Sequence, residues 1–455
     1  MATTDNDKSL KLALAQLGPG LLMAGAAIGV SHLVQSTRAG AMYGWSALIF
    51  VLLANLMKYP LYEYGHRYAA ASGRNLIQAY RQQGKRVFIP FLCISAISAI
   101  GSFAVDAFVA AMLLQYLWLP QVSVSVLAIG VLLFCWSLIA IGRYRLFEQI
   151  TKWCVILLSV ATIAAVVMAV VTAIASQHVL PSDIAAQTSS TVELTSQILK
   201  ANTSSAEIVA ATTTLTRPTI FSWSAVPFLV AFMGWMPGGL ELSVWQSLWV
   251  QADKQDSGQS ASMAEASFDF NFGYLLTVVL ACLFLVLGTL TLPEQGLAVE
   301  PAAFAGQLVS MYTSYIGAWA EPIIGLCAIA AIFSTTFTVV DAFPRTLEAG
   351  LYELLPASRA ITFPIRQAIA LALISLAGLL LTLFTAGFEP LINTITIIAF
   401  VAAPFYAWLN MQSIKDLEIA AQPAPWLSKL ALVGFVYLSG FSLLYIALQL
   451  NELTA

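Results

Sequence analysis

Apolar residues in this sequence fall into long blocks separated by short polar joins. Each block is long enough, at roughly 20 residues, to cross a bilayer as a helix. Eleven can be drawn: Leu17 to Ala39, Trp45 to Tyr64, Phe88 to Leu117, Val122 to Ile141, Ile150 to Ile174, Phe221 to Val250, Phe268 to Leu290, Trp319 to Val340, Gln367 to Phe384, Leu391 to Leu409 and Leu430 to Leu450. The pattern predicts an all-α polytopic membrane protein. Composition agrees, with 455 residues that are 59% hydrophobic and only 9% charged and a mean hydropathy of +0.83. A soluble core does not need that much apolar surface.

Lys and Arg collect at alternate joins, as they do on the cytoplasmic side of membrane proteins. Lys8 and Lys11 precede span one; Arg67, Arg74, Arg81, Lys85 and Arg86 follow span two; Arg143, Arg145 and Lys152 follow span four. Lys254, then Arg345, Arg359 and Arg366, then Lys415 and Lys429 continue the series, while the opposite joins hold only Arg38, Lys200 and Arg217. The expected topology has a cytoplasmic N-terminus and an extracytoplasmic C-terminus, in the bacterial inner (plasma) membrane. No cleavable leader pattern opens the chain, so span one is expected to be retained. The net charge of −3 adds little. The five cysteines lie in apolar spans without a Cys-x-x-Cys pair and read as packing residues.

Five segments are expected: a cytoplasmic 1–16, a first five-helix repeat over 17–176, an extracytoplasmic loop over 177–220, a second five-helix repeat over 221–411, and a linker with the eleventh helix over 412–455. The loop is rich in Ser, Thr and Ala, and its Asn202-Thr203-Ser204 matches a glycosylation acceptor that carries no meaning in a bacterial host. Two spans are interrupted. Span one passes through Gly29, Val30, Ser31 and His32, and span six through Met236, Pro237, Gly238 and Gly239. Proline removes a helix donor, and glycine tolerates the unwound backbone that follows. Interrupted helices opening each of two halves are the sequence mark of an inverted-repeat transporter and point to its substrate site. The alternative is a kink or a close helix packing. A Val-Asp-Ala-Phe echo in spans three and eight places Asp106 and Asp341 in corresponding positions.

Ionisable groups inside lipid-spanning helices are functional candidates when they face the protein interior. His32 can bind a metal, carry a proton or hydrogen-bond an organic substrate, or it can be a satisfied core histidine. Glu241, just past the second break, can pair with His32, bind a cation or titrate, or it can be hydrated in a vestibule. Asp106, Asp341 and Arg345 can form a charged relay, with Asp341 and Arg345 sharing a helix face, or Asp341 and Arg345 can be a structural pair. Glu63, His66 and Arg67 read as interfacial. Lys58, inside span two, can snorkel to the membrane surface. Enzyme, phosphate-binding and dinucleotide motifs are absent, as are filter-like repeats, so neither enzyme activity, a cofactor nor a nucleic-acid partner is expected.

Five stretches together carry a family resemblance: "GPGLLMAGAAIG" and "RAGAMYG" in span one, "LLANLMKYPLYEYGHRYAAASGRNL" over span two, "GRYRLFEQITKW" entering span five, and "MP" in span six. The chain resembles a divergent member of the NRAMP (natural resistance-associated macrophage protein) transporters. The resemblance implies a LeuT-type fold with a 5+5 inverted repeat, broken helices 1 and 6, and transport of divalent transition metals with protons. It also marks a departure. The family's Asp-Pro-Gly-Asn aligns with Gly29, Val30, Ser31 and His32, and its Met-Pro-His-Asn with Met236, Pro237, Gly238 and Gly239. "QSLWVQ" matches with an offset of about three, and one alignment places Glu241 near the family's histidine.

The expected substrate site therefore comprises Gly29, Ser31, His32, Met236, Pro237, Gly238, Gly239 and Glu241. His32, Asp106, Glu241, Asp341 and Arg345 are proton-path candidates, and His32, Met236 and Glu241 are ligands if a metal is bound. Loss of the acid disfavours a buried dication, while three glycines are expected to enlarge the cavity enough for a small organic solute. The expectation is a proton-coupled symporter working by alternating access, with lipid, protons and either a divalent metal or an organic solute as partners. A passive channel or a substrate sensor on the same scaffold is the alternative.

Overall fold

The computed structural model describes residues 19–142, 144–178, 218–257, 262–292, 297–355, 364–383 and 387–454. Lys8, Lys11, Arg143, Lys200, Arg217, Arg359 and the Asn202-Thr203-Ser204 acceptor lie outside them. Among the described residues the regular elements are all helical. They are α1 (Pro19–Ala27), a π-helical turn (Ser31–Ser36), α2 (Thr37–Tyr43), α3 (Ala47–Ser72), α4 (Leu76–Gln82), α5 (Lys85–Leu117), α6 (Val124–Ile141) and α7 (Tyr144–His178), followed by α8 (Val226–Gly234), α9 (Leu242–Ser257), α10 (Met263–Thr291), α11 (Pro301–Ile316), α12 (Glu321–Leu354), α13 (Ile365–Leu383), α14 (Phe388–Ile414) and α15 (Pro425–Thr454). All eleven predicted spans coincide with helices, and nine stretches among the described residues are long and apolar enough to cross a membrane.

Two helices were not anticipated. α11, just ahead of span eight, is capped by the Glu300 carboxylate, which accepts from the backbone N–H groups of Ala302 at 3.1 Å and Ala303 at 2.6 Å. α4 opens on Asn75 in a reciprocal capping box with Gln78. Both are too short and polar for a hydropathy window and are instead signalled by their caps.

Spans one and six are each split, as predicted. Span one consists of α1 and α2 joined through Ile28 to Ser36, and span six of α8 and α9 joined through Trp235 to Glu241. The fold is therefore of the LeuT type, with the broken helices leading two five-span sets and α15 following them. Each half of span one lies along α10, α8 lies along α14, and α9 along α3. The echo helices α5 and α12 pack most extensively against one another.

The crossing of span one with α10 is backbone on backbone. A Cβ on Gly20 would overlap the Asp269 carbonyl, and one on Gly273 the Gly20 carbonyl. Farther along, Gly40 meets the Leu285 carbonyl and Gly288 the Thr37 carbonyl in the same way. Lipid offers no hydrophobic drive for helices to associate, so close approach through small residues is what holds such pairs. The Asp269 carboxylate adds an N-terminal cap to α1, accepting from the Gly20 N–H at 2.6 Å.

Replacing Gly273 with Leu should therefore lower the stability of the detergent-purified protein by about 1–3 kcal/mol. The unfolding temperature, followed by tryptophan fluorescence, checks this; an unchanged value would show that the helices can part without loss.

Candidate substrate site

Both breaks leave backbone carbonyls without helical partners in a region where water is scarce, and each such group must be paired locally. In span one the hydroxyls do this. Thr335 on α12 donates to the Gly25 carbonyl at 3.1 Å, and Ser31 donates to the Ala27 carbonyl at 2.7 Å. In span six the work falls to α3. Lys58 Nζ donates to the carbonyls of Met233 at 2.7 Å, Gly234 at 2.9 Å and Gly238 at 3.1 Å. Tyr62, one turn on, donates to Gly238 at 2.5 Å and Gly239 at 3.0 Å. Lys58 is completely buried. The expectation that it snorkels outward is thus overturned, because the carbonyls at the end of α8 offer its ammonium a better-defined shell than the membrane surface does.

A cavity of about 40 Å³ lies where the two breaks meet α5 and α12. Ala27, Val30 and Ser31 form one wall, Pro237, Gly238 and Gly239 another, and Ser102, Asp106, Glu241 and Thr335 supply its polar atoms. Ser102 and Asp106 share a face of α5 one turn apart. The Asp106 carboxylate is 2% exposed and the Glu241 residue 5%. Among the described residues, neither carboxylate accepts a hydrogen bond from another side chain or from another residue's backbone. Two buried acids directed into one small cavity, with at most the Glu241 backbone N–H as a donor, are costly unless something cationic or protic joins them there.

The predicted enlargement is not found. Thr335 Oγ1 fills the place where a Cβ on Gly29 would sit, Leu242 does so at Gly238, and the Glu241 carboxylate folds over Gly239. The volume that larger residues would take at the three glycines is occupied by these neighbouring side chains.

The other predicted residues are distributed as follows. Ser31, Gly238, Gly239, Pro237 and Glu241 line the cavity, and Gly29 lies behind Thr335. His32, in the π turn, is fully buried and faces α10 instead. Its Nε2 lies 3.0 Å from the Thr277 carbonyl, which can only accept, so Nε2 carries the proton; Nδ1 lies 2.8 Å from Ser31 Oγ. Met236 is buried but does not line the cavity. Asp341 is bound by Arg345 at 2.7 and 2.9 Å, and the relay to Asp106 is not formed. Glu63 and His66, read as interfacial, are 3% and 0% exposed; Glu63 is held by Arg67, and His66 stacks on Phe270 at 4.6 Å. Arg38 is also buried, joining span one to α14 through Glu389 and, at 3.2 Å, Asn393.

A broken-helix pair around a carboxylate-lined cavity within a 5+5 helical scaffold defines a secondary-transporter architecture. The sequence profile of the natural resistance-associated macrophage protein-like (Nramp) family matches residues 20–447, and the chain belongs to that family. It is 33% identical over 439 residues to an uncharacterised protein of Pasteurella multocida, covering 96% of this chain and 92% of that one. Among solved structures, a mutant of the Eremococcus coleocola manganese transporter superposes with a TM-score of 0.69 at 15% identity, covering 98% of this chain and 89% of that one. Mhp1, a nucleobase-cation-symport-1 family transporter, superposes with a TM-score of 0.53 at 11% identity, covering 95% and 93%. The protein is a membrane transporter of the Nramp family.

Thr335 stands where a side chain on Gly29 would go, which makes the pair testable. Gly29→Asp alone should destabilise the protein by about 1–3 kcal/mol, and Gly29→Asp with Thr335→Gly should recover most of that loss. Unfolding temperatures of the two single variants and the double variant close the cycle; simple additivity would show that the two positions do not compete.

Proposed function

We propose that this protein is a proton-coupled symporter of a hard divalent cation, of the manganese or magnesium type, working by alternating access. The observation that carries the reading is the pair of buried acids, Asp106 and Glu241, facing one cavity of about 40 Å³ with no hydrogen-bond donor from another residue. A volume of that size holds an ion with a water or two, since one water needs about 10–15 Å³. It is too small for a drug-sized organic solute, whose pockets run to about 300–1,000 Å³. The polar side-chain atoms facing the cavity are carboxylate and hydroxyl oxygens, which suit hard cations. The soft candidates, Met236 and His32, face elsewhere. The manganese transporter among the structural neighbours points to the same substrate class.

In this scheme Asp106 holds the cation, assisted by the hydroxyls of Ser102, Ser31 and Thr335 and by the Gly238 and Gly239 segment. Glu241 carries the proton. It sits at the start of α9, at the hinge between break and helix, where its carboxylate can follow the movement of span six from one side to the other. Span one and span six supply the moving wall, and α5 and α12 the fixed one.

Uptake of manganese into proteoliposomes, with trapped metal- and pH-sensitive dyes, tests the scheme. Saturable uptake accelerated by an inward proton gradient is expected. Asp106→Asn should lower uptake at least tenfold. Glu241→Gln should retain metal-dependent thermal stabilisation while losing proton movement. Wild-type uptake by both variants, or no manganese or magnesium uptake by folded wild-type protein, would reject it.

A further inference from the structure

Lys58 is a buried charge that the transport scheme does not use. Its side chain enters the break of span six from α3 and ends among three carbonyl oxygens, those of Met233 and Gly234 at the end of α8 and that of Gly238 beyond the break, at 2.7, 2.9 and 3.1 Å. An ammonium has three N–H donors and no acceptor, whereas a neutral amine would turn a lone pair toward one of those oxygens. Three acceptors therefore match the charged form, donor for donor. The carbonyls at the end of α8 also carry the negative end of its dipole, and Glu241 lies within electrostatic range. Surrounding oxygens of this kind, at the C-terminal end of a half-helix and in unwound backbone, are what broken helices offer to free cations.

We propose that the Lys58 ammonium is a tethered monovalent cation: delivered on the side chain of α3, it fills a carbonyl-lined cation site at the break of span six, so that the protein needs no free sodium or potassium there. A bound ion would come and go with the composition of the bath. The covalent stem fixes the occupancy at one, and together with Tyr62 it fastens the break to α3. The role is one of positioning, since Lys58 reaches the cavity only through the backbone it holds.

The test removes the tether and supplies the cation separately. Purified full-length Lys58→Ala is expected to unfold at a lower temperature than wild type in choline chloride, which has no N–H group and is too large for the site. Ammonium or propylammonium chloride at the same ionic strength should raise that temperature by about 2–4 °C in a concentration-dependent way, while wild type does not respond. Lys58→Met fills the volume without donors and should be destabilised but indifferent to every amine. Wild-type stability of either variant in choline would overturn the proposal, as would a folded Lys58→Ala protein that ammonium, propylammonium, sodium and potassium all fail to stabilise. A second arm rests on the cation-carrier reading. Wild-type manganese uptake should be unchanged when sodium and potassium are replaced by choline, and uptake by Lys58→Ala should rise at least fivefold with propylammonium. Sodium-dependent wild-type uptake would overturn the proposal. The stability arm uses no transport substrate, so its outcome separates the tethered cation from the carrier reading.

Discussion

Backbone pairing in a water-poor interior governs this structure. A membrane helix satisfies its own carbonyls only while it remains a helix, and an interruption leaves several of them exposed at a cost of several kcal/mol each. This protein interrupts two. Everything placed around the breaks follows from that debt of hydrogen bonds: the Thr335 and Ser31 hydroxyls on span one, and the Lys58 ammonium and Tyr62 phenol on span six. Ser31 belongs to span one itself, while Thr335 comes from α12 and Lys58 and Tyr62 from α3, so the pairing of both breaks draws on the packed neighbours.

The same constraint shapes the site. With span six held open by α3, its unwound backbone forms a wall, and Glu241 folds back over Gly239 because no side chain there blocks it. Asp106 arrives from α5, the helix that packs most extensively on α12. The cavity thus receives one carboxylate from α5 and one from the end of the span-six break.

Much of the fold was legible because it follows from rules that act locally. Block length gave all eleven spans, and Pro237 with its two glycines marked the second break. The site was harder to read. Glu241 could be found from its neighbourhood, and Asp106 from its place inside a span. Within the tetrapeptide echo the i+4 position separates the two acids, because Asp341 has Arg345 there and pairs with it, whereas Asp106 has Ala110. That Asp106 faces the cavity is decided by packing. Lys58 misled for a similar reason. A long aliphatic stem in a span ordinarily turns outward, and the carbonyls that draw it inward lie 175 residues or more away in sequence. For His32 a ligand role and a satisfied core histidine look alike in sequence, and the groups that decide the surroundings of His32 and the glycines, Thr277, Thr335, Leu242 and Glu241, belong to other turns or other helices.

The glycine crossings of span one with α10 lie on both sides of its break, at Gly20 with Gly273 and at Gly40 with Gly288. A strip clamped at two points cannot lengthen or slide, but its middle can bow. The π turn lies between the clamps, where such bulges interrupt the regular helical ladder. Span one is thus built as a flexure rather than a piston, with its two ends held in register on α10 and its free middle forming the cavity wall.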